Sequence, residues 1–331
     1  MNNSVAKLEK NLNFAHQIMK NMKRPLRIAL FGNIYQPRKS ATLVNLLNIL
    51  QEHEAELLID KAFYLHLTNE QHIAIGSAEV IEDDCFEADV AISMGGDGTF
   101  LEAARKVGNK NIPILGINMG RLGFLSDFSA TEMRETIEQL NEGKLHAEPC
   151  TVLQVEYSHG APIGYPYALN EVAVLKRDNS SMISIRVEVN GEYLTTYQAD
   201  GLIINTPTGS TGYALSVGGP IVSPCCGTLG IVPVAPHSLN MRPITISDNS
   251  VISLSVESRS GNYLVAIDGR SESCQHETKL TLRRAPYCTQ VLKRSKMSFF
   301  QALHTKLMWG NDMRADEGMS SDEERTTVYE E

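Results

Sequence analysis

The chain has 331 residues, 42% of them hydrophobic, and a formal net charge of −9, a length that fills one large core or two medium ones and favours two domains. No apolar run is long enough to cross a bilayer as a helix, the stretch Met1 to Arg27 lacks a secretory leader's apolar core and cleavage site, and no basic stripe interleaved with aromatics points to nucleic acid. The six cysteines make no C-x-x-C pair and have no histidine at ligand spacing, which reads as reduced thiols in a cytoplasmic protein, not a disulfide framework or a zinc site.

The charge is unevenly spread. Between 311 and 331, eight Asp and Glu face two Arg, so this tail carries −6 of the −9. Poor in large apolar side chains, it is predicted to be disordered. At the other end, residues 1–24 read as a polar extension ahead of the first strand.

From there strand and helix signals alternate. Leu26–Phe31 is a short apolar run stopped by Gly32-Asn33, hence a buried strand, and leucines at helical spacing predict a helix over Ser40–Glu54. Asp89–Met94 is a second buried strand, ending in Gly95-Gly96-Asp97-Gly98-Thr99; a helix follows over Thr99–Val107. Ile112–Ile117 is a third strand, and Thr131–Asn141 a helix stopped by Gly143. Buried strands alternating with helices predict a parallel sheet covered on both faces, with ligands beyond the strands' carboxyl ends, where the glycine loop falls. From about Glu148 the period changes to two: Val152–Tyr157, Ser184–Val189, Leu202–Ile204, Val251–Val256 and Leu264–Ile267 read as strands, with Asn190-Gly191 as a hairpin turn. The fold class expected is therefore a Rossmann-like α/β domain over 25–147, carrying the glycine loop, and a β-sandwich-like domain over 148–290. A segment over 291–310, helical from Met297 to His304, is expected to return to the first domain.

Two loops carry the chemistry. Gly95-Gly96-Asp97-Gly98-Thr99 and Thr206-Pro207-Thr208-Gly209-Ser210-Thr211-Gly212-Tyr213, the latter running on to Gly218-Gly219-Pro220, are rich in glycine and hydroxyls, and each follows an apolar strand. Glycines let main-chain N–H groups approach phosphate oxygens, and a helix start adds its positive dipole end. Two such loops predict two phosphate-bearing ligands, and a carboxylate between them predicts phosphoryl transfer. Asp97 reads either as a base toward an attacking hydroxyl or as a cap on the following helix. Asn170-Glu171 supplies donors and acceptors for a purine or amide edge. Asp200 reads equally as a ribose ligand or a turn residue, Tyr213 as a base-stacking or a packing ring, and His237 as structural. Neither Gly-Lys-Ser/Thr nor a Gly-x-Gly-x-x-Gly after a first strand occurs, which disfavours P-loop enzymes and ordinary hydride-transferring dehydrogenases.

These residues resemble the NAD kinase family. The resemblance rests on the Gly95–Thr99 loop, Asn118-Met119-Gly120-Arg121-Leu122-Gly123-Phe124-Leu125, Asn170-Glu171, and the second loop with its Gly-Gly-Pro. Pro236-His237-Ser238-Leu239 ahead of Arg242-Pro243, and Asp268-Gly269, complete it. The first loop is shared with lipid kinases of the diacylglycerol type; the second distinguishes NAD kinases. The resemblance implies transfer of phosphate from ATP to the 2′-hydroxyl of the adenosine ribose of NAD, with Mg²⁺ or Mn²⁺ bound with ATP, in a homodimer or homotetramer. It implies that Asp97 is the general base, with Gly98 beside it, and that Asn170 and Glu171 contact the adenine and ribose. Asp200 should approach the nicotinamide side. Thr211, Gly212, Tyr213, Ala214, Leu215 and Ser216 should wrap the dinucleotide, Ala235 should line its pocket, and Ser181 should touch a neighbouring subunit's ligand. Gly95, Gly96 and Thr99 should meet the ATP phosphates. Gly212 stands where relatives often carry Ala, and Gln198 where some carry a basic residue. The competing readings are a diacylglycerol-type lipid kinase and a dinucleotide sensor without turnover.

Overall fold

The computed structural model describes residues 24–34, 40–120, 123–160, 164–177, 181–294 and 299–310. The polar extension as far as residue 23, the acidic tail 311–331, Arg121-Leu122, and Met297-Ser298 of the expected last helix lie outside the described residues.

The first part winds as expected. Strands β1 (Arg27–Gly32), β2 (Glu56–Asp60), β3 (Ala78–Ile81), β4 (Val90–Gly95) and β5 (Ile114–Asn118) lie parallel in the order β3-β2-β1-β4-β5. Helices α1 (Ser40–Glu52), α2 (Lys61–Leu65), α3 (Asp97–Val107) and α4 (Met133–Asn141) connect or cover them. Ile28 and Leu30 of β1 pack with Leu46, Ile49 and Leu50 of α1 and Ile137 and Leu140 of α4. The alternate residues Ala29 and Phe31 face Phe100, Ala103 and Ala104 of α3 on the other side. That division of one strand between two helical layers is what a buried parallel strand requires. Strands β2 and β3 escape the sequence pattern because Glu56–Asp60 runs straight into α2 without turn residues. The stop at Gly143 is a helix-ending turn: Gly143 has φ +64°, and Gly143 and Lys144 donate back to Leu140 and Gln139.

The remaining strands are β6 (Phe128–Ser129), β7 (His146–Tyr157), β8 (Tyr167–Ala168), β9 (Glu171–Lys176), β10 (Ile183–Val189), β11 (Glu192–Ala199), β12 (Gly201–Asn205), β13 (Thr228–Val234), β14 (Ile244–Ser247), β15 (Ile252–Glu257), β16 (Asn262–Ile267), β17 (Arg270–Gln275) and β18 (Leu280–Lys293). They divide between two sheets, one of them an extension of the parallel sheet. The parallel strands continue through β18 into β15, β10 and β11, giving a 12-stranded mixed sheet. The 14-residue β18 makes this junction: Leu280–Leu282 pair with β15, Val291 pairs parallel to Ile114 of β5, and β7 runs antiparallel alongside. A second, six-stranded antiparallel sheet runs β14-β13-β12-β9-β16-β17. Val172, Val174, Leu202, Ile204, Val265 and Ile267 of this sheet pack on Ile185, Val187, Leu254 and Leu282 of the first, all buried. That is the sandwich expected of the second half. Asn190-Gly191 turns β10 into β11 with both residues left-handed, φ +53° and +82°. The chain divides into two compact units after Ser295; the second contributes α6 (Phe299–Leu307), close to the expected last helix.

Candidate active site

The first glycine loop leaves the carboxyl end of β4, and α3 begins at Asp97 itself, two residues earlier than predicted. Gly96 holds the N-cap position, without a side-chain cap. Asp97 therefore does not cap the helix. Its carboxylate turns away from the axis and accepts three main-chain hydrogen bonds: Phe124 N–H to Oδ2 at 2.9 Å, and Leu125 and Ser126 N–H to Oδ1 at 3.0 and 3.1 Å. A Cβ on Gly123 would stand 2.0 Å from Oδ1, so the carboxylate fills the space that this glycine leaves. The other glycines divide in the same way. At Gly95 the missing Cβ makes room for Thr99, whose Oγ1 would lie 2.2 Å from it, whereas nothing stands within 4 Å of a Cβ at Gly96 or Gly98. Gly98 is exposed and Asp97 half-buried. The helix start thus carries free space over Gly96 and Gly98, with a fixed carboxylate between them.

A second carboxylate performs the same task at Asn170-Glu171. Asp268 accepts from Leu169, Asn170 and Glu171 N–H at 2.7, 2.9 and 3.0 Å. It occupies the β16–β17 turn with φ +46°, a left-handed conformation that Asp tolerates. Burial pushes its carboxyl up, opposed by the three N–H groups and by Arg270. Glu171 is pushed up to about 7, first by burial and then by the Asp268 charge, with the Tyr213 N–H pulling the other way. Its Oε2 and the Oδ1 of Asn170 are buried and lack a hydrogen-bond partner among the described residues. Such atoms cost free energy unless something arrives to pair with them.

The second glycine loop folds over this pair. Thr208–Thr211 forms a 3₁₀ turn and Tyr213–Ser216 a short helix, α5. Thr206 ties the loop down: its Oγ1 donates to Leu169 O at 2.6 Å and accepts from Gly209 N–H at 3.1 Å. Gly209 lies so close that a Cβ there would meet Asn170 O at 2.0 Å, and one at Gly212 would meet Glu171 Oε2 at 2.8 Å. Ala214 is buried against Ala173, Ile203 and Val232 on the outer face of the six-stranded sheet, which leaves Tyr213 and Ser216 exposed and Thr211 and Leu215 half-buried.

Asp200 and Ser181 belong to a different end of the same strands. Asp200 precedes β12, Oδ1 pairs with Lys176 Nζ at 2.8 Å, and with Ser181, Gln198 and Arg259 it lines a cavity of about 610 Å³. Ala235 joins this end through the Asp200 N–H to Val234 O bond at 3.0 Å, and it is exposed with φ +44°. Strand β12 separates Asp200 from the second glycine loop, about 16 Å for its length at the usual rise per residue. His237 is exposed; its main-chain N–H donates to Gln198 O at 2.8 Å.

The structure therefore brings Asn170, Glu171 and the second loop together, and the helix that Asp97 opens is joined to them through the buried cluster that Phe100, Ala103 and Ala104 share with Leu169. It sets Ser181, Asp200 and Ala235 apart as a second group. Gly123, Asp268 and Lys176 were assigned no role from sequence. The first two lie in motifs already visible there, a glycine after Arg-Leu and an Asp-Gly turn; Lys176 gave no local signal.

Two family models match this chain: the ATP-NAD kinase N-terminal domain over residues 28–145 and the ATP-NAD kinase C-terminal domain over 169–293. An NAD kinase of Bacteroides fragilis is 54% identical over 289 residues, 87% of this chain and 100% of that protein. One from Porphyromonas gingivalis is 41% identical, over 87% of this chain and 99% of its own. Among solved structures, yeast NADH kinase complexed with NADH superposes with a TM-score of 0.80 at 21% identity, covering 88% of this chain and 90% of that one, a likeness of fold. An NAD kinase from Archaeoglobus fulgidus in complex with ATP gives 0.64 at 26% identity, covering 86% and 99%. With both halves of the chain matched and relatives of such identity along their whole length, this protein belongs to the NAD kinase family of phosphotransferases.

Proposed function

We propose that this protein transfers the γ-phosphoryl group of ATP to the 2′-hydroxyl of the adenosine ribose of NAD, giving NADP and ADP, with Asp97 as the general base. The observation that carries the reading is the Asp97 carboxylate, fixed by three N–H groups at the start of α3 between the open positions Gly96 and Gly98. The O2′–phosphorus bond forms as the bond from the γ-phosphorus to its bridging oxygen breaks. ADP leaves, and the hydroxyl proton passes to Asp97. In a loose transition state positioning and charge do most of the work, so a weak carboxylate base suffices once the attacking oxygen has begun to bond.

The unpartnered atoms of Asn170 and Glu171 take the adenine and ribose, with Thr211–Ser216 folded over them; Gly96 and Thr99 receive the ATP phosphates beside the helix start. Divalent metal enters as part of the substrate, Mg·ATP or Mn·ATP, with phosphate oxygens supplying donors to it. Asp200 and Ser181, one strand length away, serve the nicotinamide side or a neighbouring subunit's dinucleotide. The same reading makes it a homo-oligomer, and six unpaired cysteines support a reducing cytoplasm. No helix among the described residues is long and apolar enough to cross a membrane.

The test is a coupled assay with Mg·ATP and NAD in which an NADP-specific dehydrogenase reports product. Steady NADP formation that disappears in Asp97→Asn, with the fold and NAD binding retained, is the expected result. NAD binding without turnover in the native protein would point to a sensor, and phosphorylation of a diacylglycerol in place of NAD to a lipid kinase.

A further inference from the structure

We propose that Lys293 is a positioning residue for Asp97 and acts on it through a single peptide unit. The inference rests on the reading of Asp97 as the base. Lys293 is the last residue of β18, fixed in the sheet by pairing with His146. Its Nζ donates to Phe124 O at 3.3 Å and pairs with Asp127 Oδ2 at 3.5 Å, both side chains largely buried at 20% and 8% exposure. The carbonyl it holds belongs to the peptide linking Phe124 to Leu125, and the N–H of that same peptide donates to Asp97 Oδ1 at 3.0 Å. An ammonium group and the carboxylate therefore grip opposite edges of one planar amide. Each polarises the amide in the sense that strengthens the other bond, and the plane cannot rotate without loosening both.

The neighbouring contacts explain why this segment needs such a hold. Residues 123–127 form no helix or strand. They are pressed onto β5, where a Cβ at Gly116 would lie 2.8 Å from Ser126 Cα and 2.9 Å from Leu125 O. That contact fixes the depth of the segment but not the tilt of its peptides. Beyond it Arg294 pairs with Glu132 at 2.7 Å and lies 5.0 Å over the Phe128 ring. The end of β18 thus anchors residues 124–132 from one side while Asp97 reads their N–H groups on the other. Among the described residues its hydrogen bond and ion pair go to Phe124 and Asp127 and none goes to Asn170 or Glu171, so its loss should disturb the base more than NAD recognition.

The experiment compares Lys293→Met, Lys293→Arg and Asp97→Asn by steady-state kinetics, with NAD affinity by calorimetry and melting temperature measured on each. A folded Lys293→Met should lose about ten- to a hundredfold in kcat, the range for a residue that orients a group at the reacting centre. Its KM and Kd for NAD should stay near those of the native protein, and Lys293→Arg, which keeps a cationic donor, should recover most of the rate. If Lys293→Met does not fold, Lys293→Gln, one bond shorter than lysine, is read by the same criteria. Native kcat in the folded variant, or parallel losses of kcat and NAD affinity that track melting temperature, overturns the proposal while Asp97→Asn stays inactive. An active Asp97→Asn overturns the underlying reading of the base.

Discussion

Asp97 and Asp268 are used in the same way, each carboxylate accepting three successive main-chain N–H groups, those of residues 124–126 for one and 169–171 for the other. In both cases a side chain from one turn fixes the backbone of a segment far along the chain. Asp268 by this means orients Asn170 and Glu171, while Asp97 is itself oriented by what it holds. Charge-assisted bonds of this type are roughly twice as strong as neutral ones, which suits positions that must not drift.

Gly123→Ala tests the packing around Asp97. The new Cβ would fall 2.0 Å from Oδ1, so the carboxylate must move or the segment must lift. A shift of about 1 Å at the reacting centre costs on the order of a hundredfold. The expected outcome is a kcat reduced by that order, with NAD affinity nearly native; a variant within twofold of native kcat would show that the contact does not govern the base.

Asp268→Ala removes the acceptor for three N–H groups of residues 169–171. Each one left buried and unpaired costs about 1–3 kcal/mol, and Asn170 and Glu171 lose their register. Thermal or denaturant unfolding should show a large loss of stability. The milder Asp268→Asn, which keeps one acceptor oxygen, should fold and show a raised KM for NAD. An unchanged KM in Asp268→Asn would separate this turn from dinucleotide binding.

Glu171 makes stability depend on pH. Its carboxyl is raised from an ordinary 4.5 to about 7, chiefly by burial. Because the folded protein holds this proton more tightly than the unfolded chain, the contribution is fully present below about pH 4.5 and is lost as pH rises through about 7. Glu171→Gln should flatten that part of the melting-temperature profile, gaining on the native protein most at pH 8. Parallel profiles for the two proteins would contradict the assignment.

Lys176→Met breaks the 2.8 Å ion pair with Asp200. Both side chains are partly exposed, and pairs of that kind contribute about 0–1 kcal/mol, so stability should change little. If Asp200 serves the dinucleotide, freeing it in the wall of the cavity should alter the KM for NAD by severalfold at unchanged melting temperature. A KM equal to native would place this cavity outside the reaction.

Much of this protein was determined by sequence alone. Short apolar runs alternating with leucine-spaced helices set the parallel sheet, period-two runs and Asn190-Gly191 set the antiparallel part, and the glycine loops with Asp97 and Asn170-Glu171 marked the site. These are local signals, written in spacing and in the few residue types that particular turns allow. Only the tertiary structure decided that one long strand, β18, joins the two halves in a single sheet. It also decided that Asp97 is no helix cap but the partner of 124–126, and that Gly123, Asp268 and Lys293 determine where the reacting groups stand. Those relationships span tens to hundreds of residues, and hydrogen bonds to main-chain N–H groups leave no side-chain pattern in the segment that donates them.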